Sequence, residues 1–361
     1  MTYLDYQATT PLAPEALAAM LPWLESQHAN PHSSHREGRR AKATVEVARD
    51  QVAALLPPDG RVAFTSGATE ALNWAIKGTT GPIVTLATEH AAVLDTVAAE
   101  AVRGRQVTIL SVGPDGVVDL DAARAAIPAG AGLVAAMLVN NEIGVIQPIA
   151  ALADIAHAAG ALMLCDAVQG YGRVEIPDTV DVIAISAHKL HGPKGIGALW
   201  IRDGVDLAPL MHGGGQEAPG RSGTLSPALC AGFGAAAFLM ANRSEQDKAH
   251  IDRLWALALG CLGPGWTING ATEHRYHGNL NIRRDGLDVN RLMSDLRDIA
   301  FSAGSACASG SGRSSHVLRA ISLTEKQARS SIRLGFGRYT IETELNEAID
   351  AIVAAVGTQW P

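Results

Sequence analysis

Short apolar runs alternate with helical patterns between about residues 60 and 205, and this alternation predicts the fold class. The apolar runs, which we interpret as strands, are RVAFTSG, PIVTLA, QVTILSV, GLVAAMLV, ALMLCDA, DVIAISA and GALWIR. Helical patterns lie between several of them, in ATEALNWAIKG, HAAVLDTVAAEAVRG and IAALADIAHAAG. Continuous apolar strands separated by helices are typical of a sheet covered on both faces. The pattern therefore predicts an α/β fold built on a mostly parallel, seven-stranded sheet.

The segments on either side of this region predict further helices and a second lobe. APEALAAMLPWLES and SHREGRRAKATVEVARDQVAALL have helical patterns before the sheet, and a long helical region follows it from residue 226. After about residue 263, the strand-like NLNIRR and SSIRLGFG accompany the helix-like DVNRLMSDLRD and ETELNEAIDAIVAAV. We expect a large domain over residues 14–245 and a smaller α+β domain formed by residues 1–13 with 246–361.

Composition and charge exclude several classes of protein. The chain has 361 residues, 47% of them hydrophobic, which is enough for a large core. A net charge of −7 argues against a basic nucleic-acid surface. The N-terminal residues lack the apolar stretch of a signal peptide, and apolar segments elsewhere are too short for a membrane span. We therefore expect a cytoplasmic protein that binds neither nucleic acid nor membrane.

The four cysteines do not form a metal or redox motif, because no two of them have CxxC spacing. Cys165, Cys230 and Cys261 lie in apolar patterns and are expected to be small buried residues. Cys307 instead lies in SAGSACASGSG, a run of small residues that predicts a movable loop and a reachable thiol.

Three histidines in HANPHSSH invite a metal-site interpretation: His28, His32 and His35. Their spacing is loose and no acidic residue accompanies them closely. We expect no metal there.

Polar residues follow the predicted strands at the points where those strands end. They occupy positions 65–70, 88–90, 140–142, 166, 169 and 186–189. Ligands of open α/β sheets bind beyond the carboxyl ends of the strands, so we expect these side chains to meet in one site. Residues 65–70 open a helix, and their free backbone N–H groups suit a phosphate. An ordinary helix cap at Thr69 explains the same residues.

Lys189 carries the most telling chemical signal. It follows an apolar strand and His188, where desolvation would depress the pKa of an amine and favour a nucleophile. A Schiff-base lysine would explain its neighbours, because Asp166 could keep a pyridine nitrogen protonated and His90 could stack on the ring. Lys194 is the alternative lysine, but no strand precedes it.

A series of motifs in the same order resembles the cysteine desulfurases, pyridoxal-phosphate enzymes of the class V aminotransferase group. The motifs run through nearly the whole chain and are YLDYQATTP, NPHSSH, FTSGATEA, TEHAAVLDT, VNNEIGVIQPI, DAVQG, SAHKLHGPKGIGAL, MHGGGQE, RSGTLSP, SAGSACASGS and SSIRLGFGRYT. The resemblance implies fold type I of the pyridoxal-phosphate-dependent transferases. It also implies pyridoxal 5′-phosphate as the cofactor.

The resemblance assigns roles around that cofactor. Lys189 would bind it covalently, Asp166 would pair with the pyridine nitrogen, and Gln169 would meet the ring hydroxyl oxygen. His90 would stack on the ring and move protons. The phosphate would be held by Ala68, Thr69, Ser186, His188 and, from the other subunit, Thr224. This last contact requires a homodimer.

The resemblance also implies the reaction. Asn141 and Arg333 would orient L-cysteine, with Arg333 gripping its carboxylate by two hydrogen bonds, although a structural arginine is the alternative. Cys307 would take the sulfur as a persulfide while alanine is released. It would then pass the sulfur to a protein acceptor for iron–sulfur cluster assembly or another thiolation. Relatives that dock an iron–sulfur scaffold have a longer C-terminal extension, which leaves the acceptor's identity open.

Other functions fit part of the pattern. A selenocysteine lyase, or another class V aminotransferase or lyase, would share the cofactor site, and a non-catalytic protein could have kept the fold. Cys307 favours the desulfurase, because transamination needs no thiol.

Overall fold

The N-terminal residues form the first strand and two helices that border the main sheet. The computed structural model describes residues 1–217, 220–304 and 315–359. The first elements are β1 (Thr2–Tyr3), α1 (Pro14–Glu25) and α2 (Arg36–Ala53). Pro14 suits the first turn of α1, where its missing N–H has no helical partner. His35 caps α2 by accepting a hydrogen bond from the Gly38 backbone.

Seven strands form the large sheet. They are β2 (Gly60–Thr65), β3 (Ile83–Leu86), β4 (Val107–Leu110), β5 (Leu133–Met137), β6 (Leu162–Asp166), β7 (Val182–Ser186) and β8 (Gly197–Arg202). Their order is β2-β8-β7-β6-β5-β3-β4, and β8 is antiparallel to both of its neighbours. The links among β3 to β7 are parallel. The predicted mostly parallel, seven-stranded α/β sheet is confirmed.

Helices cover both faces of this sheet. They are α3 (Ala68–Gly78), α4 (Ala91–Val102), α5 (Leu120–Ala126), α6 (Ile149–Ala158) and α7 (Pro227–Leu262). Alternate side chains of β5 enter different cores, since Val134 packs with α6 and α7 while Leu133 packs with α3 and α4. This two-sided burial explains why the strand is continuously apolar.

Helix α7 takes part in two hydrophobic cores. It has 36 residues and is therefore about 54 Å long. Phe233 and Met240 in its first half belong to the core of the large sheet, whereas Leu254 and Leu262 belong to the core of the second lobe. The predicted domain boundary at residue 245 falls inside this helix, and the proposed division of the chain stays a prediction.

The second lobe contains short strands and four helices among the described residues. The strands are β9 (Thr267–Ile268), β10 (Asn279–Arg283), β11 (Ile299–Ala300), β12 (Ser302–Ala303) and β13 (Ser331–Gly335). The helices are α8 (Val289–Asp295), α9 (His316–Ala320), α10 (Glu325–Arg329) and α11 (Glu342–Gly357). An antiparallel sheet has the order β12-β13-β10-β9, and β1 pairs with β11 in parallel. The N-terminus thus reaches the second lobe.

Two further expectations concern the burial of three cysteines and the ability of a helix to span a membrane. Cys165 and Cys230 are buried as predicted, but Cys261 is only partly buried and its thiol donates to Asn346 Oδ1 at 2.8 Å. Because of that polar contact, Cys261 is not simply a small apolar residue. Within the described ranges, each helix is too short or too polar to cross a membrane.

Candidate active site

The carboxyl ends of the parallel strands open into one cavity of about 650 Å³. Ten of the residues predicted from the sequence line it: Ala68, Thr69, His90, Asn141, Asp166, Gln169, Ser186, His188, Lys189 and Arg333. Thr224 is exposed and is not part of this lining as the described residues define it. Cys307 lies outside the described residues.

Lys189 ends a single 3-10 turn, Ala187–Lys189, that directly follows β7. Its Nζ donates hydrogen bonds to the carbonyl oxygens of Gln7 at 2.5 Å and Ala8 at 2.8 Å. Burial, followed by the positive charges of Arg333 and Arg173, lowers the pKa of Lys189 to about 8. An appreciable fraction of this amine is therefore neutral, and hence nucleophilic, near physiological pH.

Asp166 is the last residue of β6, and its carboxyl group is buried beside the lysine. Oδ1 accepts a hydrogen bond from the Val168 backbone N–H at 3.0 Å. Burial raises the pKa of Asp166, whereas that hydrogen bond and the charges of His90 and Lys189 act in the opposite direction. A carboxylate in this position gains stability from a cationic partner such as a protonated ring nitrogen.

Two histidines in the cavity have a lowered pKa, which favours the neutral form of each ring. His90 caps α4, and its Nδ1 accepts from the Ala92 backbone N–H at 3.0 Å, which places the proton of the neutral ring on Nε2. Burial lowers the pKa of His90. His188 Nδ1 is 3.1 Å from Thr9 Oγ1, and burial together with the charge of Lys189 lowers its pKa to about 4.

The turn before α3 has the features of an anion site. Gly67 has φ +156°, a conformation that favours glycine, and apart from its chain neighbours no described residue lies within 4 Å of where its Cβ would be. Thr65 Oγ1 donates to Gly67 O at 2.9 Å and fixes the turn. The open space and the start of an 11-residue helix suit a phosphate.

Arg333 reaches the cavity from β13 of the second lobe. Its Nη2 lies 2.7 Å from Asp5 Oδ1, and its Nη1 donates to Asn141 O at 2.9 Å. The side chain is 1% exposed, and its Nε has no hydrogen-bond partner among the described residues. The guanidinium is therefore held from two directions.

These residues fit pyridoxal phosphate. The cavity combines an amine of lowered pKa, a buried carboxylate, a neutral imidazole and an open turn at the start of a helix. Gln169 Nε2 donates to Gln7 O at 2.9 Å, while its Oε1 is buried with no partner in the described part of the chain. A bound ring with a hydroxyl group would satisfy that side chain.

Sequence reasoning missed several residues of the cavity. Gln7, Ala8 and Thr9 supply carbonyl and hydroxyl groups from the N-terminus, although their motif YLDYQATTP was noticed. Glu70, which belongs to the predicted polar residues 65–70, and Lys194, the alternative lysine, also line the cavity and were not missed. Backbone acceptors leave no side-chain signature, so only the motif's presence could have indicated the first three.

A second cavity, of about 640 Å³, lies beside α7 and contains none of the predicted site residues. Arg173 links the two cavities, since it lines the second one and donates to the carbonyl oxygen of Lys189. Among the residues that the structure describes, no three His, Cys, Asp or Glu side chains are placed together so as to hold a metal ion.

Comparisons with known proteins agree with this geometry. The aminotransferase class-V family model matches residues 2–347. Cysteine desulfurase IscS of Rickettsia bellii is 41% identical over 371 aligned residues, which cover 98% of this chain and 90% of that protein. The corresponding protein of Rickettsia typhi is 40% identical with the same coverage.

Solved structures show the same relationship. A NifS-like protein has a TM-score of 0.91 and 30% identity, with 99% of each chain covered. SspA, solved in complex with cysteine, has a TM-score of 0.84 and 31% identity over 94% of this chain and 100% of its own. The family resemblance and fold type I are confirmed. The chain belongs to the class-V aminotransferases and, within them, to the pyridoxal-phosphate-dependent cysteine desulfurases.

Proposed function

We propose that this chain removes the sulfur of L-cysteine, releases L-alanine and carries the sulfur as a persulfide on Cys307. The observation that carries the proposal is the meeting of Lys189, Asp166 and Arg333 in one cavity. They supply an amine nucleophile, a partner for a ring nitrogen and a clamp for a carboxylate. The assignment of Cys307 rests on the sequence.

Substrate binding is assigned to the second-lobe side of the cavity. The substrate carboxylate would accept hydrogen bonds from Arg333, which lines the cavity. Asn141 lines the same cavity, and its carbonyl already orients the guanidinium. Binding in this way would place the Cα of cysteine near Lys189.

Lys189 is assigned both the attachment of the cofactor and the movement of a proton. Bound pyridoxal phosphate supplies an electron sink for breaking the Cα–H bond of the substrate. The Nζ of Lys189, in its free neutral form, would take the Cα proton of the substrate as a general base. The carbonyls of Gln7 and Ala8 hold this amine in place. A pKa of about 8 suits that task near neutral pH.

Sulfur transfer is assigned to Cys307. Its thiolate would attack the substrate Sγ, so that a sulfur–sulfur bond forms and the Cβ–Sγ bond of the substrate breaks. The electron pair of the broken bond stays with the carbon skeleton, which takes up protons and leaves as alanine. His90 is a candidate for moving one of these protons, because its Nε2 carries the hydrogen of the neutral ring.

The remaining assignments concern assembly and delivery. We propose a cytoplasmic homodimer in which the exposed Thr224 reaches the phosphate held by the partner subunit. The persulfide would pass to a sulfur-accepting protein, for iron–sulfur cluster assembly or another thiolation. The net charge of −7 is consistent with a protein partner rather than nucleic acid.

The test is incubation of the purified protein with L-cysteine and a reductant, with alanine and sulfide measured together. Equal amounts of the two products, both lost in Cys307→Ala, support the proposal. Alanine production that survives in Cys307→Ala at the wild-type rate would contradict it. A parallel assay with selenocysteine tests the alternative lyase, which would act on selenocysteine without Cys307.

A further inference from the structure

The carboxylate of Glu70 lies beside the turn assigned to the cofactor phosphate. Glu70 is in the first turn of α3 and lines the same cavity as Lys189. Its Oε2 accepts a hydrogen bond from the Ser66 backbone N–H at 2.7 Å. An uncompensated carboxylate at this place would repel a phosphate dianion over a short distance.

Arg221 supplies the compensating charge. Its Nε lies 2.8 Å from Glu70 Oε1, and its Nη2 lies 3.4 Å from Oε2, so the contact is two-pronged. Both side chains are 12% exposed. Burial alone would raise the pKa of Glu70, but the hydrogen bonds from Arg221 and Ser66 bring it below its usual range. The carboxylate therefore stays ionised and paired.

Arg221 belongs to the same segment as Thr224. Its Nη1 donates to Gly223 O at 3.4 Å, and the Gly223 N–H donates to Gln216 Oε1 at 2.7 Å. The backbones of Arg221 and Glu217 exchange two hydrogen bonds, of 3.0 and 3.1 Å. These hydrogen bonds fix the position of Arg221 within its own segment, while its side chain contacts Glu70 beside the turn assigned to the phosphate.

We propose that Arg221 is a positioning residue that sets the affinity of the site for phosphate groups. It does so by neutralising Glu70, whose carboxylate contacts the turn assigned to the phosphate. The inference rests on the proposed function only for the identity of the cofactor. The ligand of this site would be a phosphate monoester, which is the part of pyridoxal phosphate that the turn would hold.

A purely structural link between the two segments is the competing explanation, and it predicts a different pattern. If the pair only joins two segments, Glu70→Gln and Arg221→Gln should weaken binding equally, and the double variant should be no better than either. If Arg221 neutralises a carboxylate near the phosphate, removal of the arginine leaves an unpaired negative charge, whereas removal of the acid does not.

The experiment is a titration of the apoprotein with pyridoxal phosphate, followed by absorbance. We expect Arg221→Gln to raise the Kd about tenfold or more, and Glu70→Gln to raise it at most about threefold. The double variant should bind more tightly than Arg221→Gln alone. Equal losses in the single variants, or a double variant no tighter than Arg221→Gln, would overturn the proposal.

A second measurement avoids the covalent chemistry of the cofactor. Inorganic phosphate should raise the Tm of the wild-type apoprotein and raise that of Arg221→Gln much less. Arg103→Gln is a control away from the cavity, because it breaks another, more exposed Arg–Glu pair, with Glu100 on α4. It should behave as wild type in both assays, and a loss equal to that of Arg221→Gln would contradict a local effect.

These readouts separate the inference from the proposed function. Cofactor and phosphate binding need no cysteine turnover. If the variants show the expected binding pattern but the wild-type protein forms no alanine, the desulfurase assignment is overturned and the Arg221 inference is supported. If the wild-type protein is an active desulfurase but all variants bind the cofactor equally, the desulfurase assignment is supported and the Arg221 inference is overturned.

Discussion

Arg333 and Asp5 form a partly buried ion pair, with Nη2 2.7 Å from Oδ1, although 328 residues separate them in sequence. Ser302 Oγ donates to the same carboxylate oxygen at 2.8 Å. The guanidinium is therefore oriented before substrate arrives, which reduces the entropy lost when a carboxylate binds.

Arg333→Lys tests this assignment. Lysine keeps the positive charge but loses the planar, two-pronged geometry, so we expect kcat/KM for L-cysteine to fall about 10- to 100-fold. Most of the loss should be in KM, measured by steady-state alanine formation. Arg283→Lys on the neighbouring strand β10 is the control and should change kcat/KM little. Equal effects of the two variants would reassign Arg333 to a structural role.

Lys189 and Lys194 both line the cavity, and burial lowers the pKa of Lys189 to about 8. We expect borohydride reduction of the holoenzyme to fix pyridoxal phosphate on Lys189, as read by peptide mass spectrometry. Lys189→Ala should abolish this labelling and lower alanine formation by at least about 1,000-fold. Lys194→Ala should retain both. Labelling at position 194 in the wild-type protein would refute the choice of lysine.

The pKa of Lys189 predicts how cofactor loading depends on pH. Attachment requires the neutral amine, so the rate of reconstitution should fall about tenfold per pH unit below the pKa of about 8. Above that pH it should reach a plateau. An amine at the ordinary pKa of 10.5 would give a rate that still rises beyond pH 10. Stopped-flow absorbance of the apoprotein from pH 6 to 10 distinguishes the two profiles.

Asp166→Asn tests the role of the buried carboxylate. The amide cannot stabilise a positive charge on the ring nitrogen, so we expect kcat to fall about 100-fold or more while cofactor still binds. Alanine formation and cofactor content should be measured on the same samples. Asp154→Asn, on the exposed face of α6, is the control. Normal turnover in Asp166→Asn would show that the carboxylate has no electronic role.

The large sheet could be predicted because its strands are mostly apolar, as β5 is throughout, and polar residues follow several of them. That pattern also placed Asp166 and Lys189 at one edge. The strands β1 and β11 have two residues each, which is too few for a periodicity to appear. They nevertheless bring the N-terminus to the second lobe.

The contacts of Lys189 with Gln7 and Ala8 could not be predicted, because backbone carbonyls have the same chemistry at every residue. The ion pair of Arg221 with Glu70 was also missed. It joins residues 151 positions apart, and neither side chain is unusual in its local pattern. Arg333 was found through the family motif SSIRLGFG, since its strand position alone gives no indication of a substrate contact.

The most direct test is a single turnover with L-cysteine in the absence of reductant, followed by mass spectrometry of the peptide that contains Cys307. We predict that this peptide becomes heavier by one sulfur atom and that alanine appears in equal amount. Alanine released without sulfur on Cys307, or sulfur found on Cys165, Cys230 or Cys261 instead, would contradict the proposed transfer.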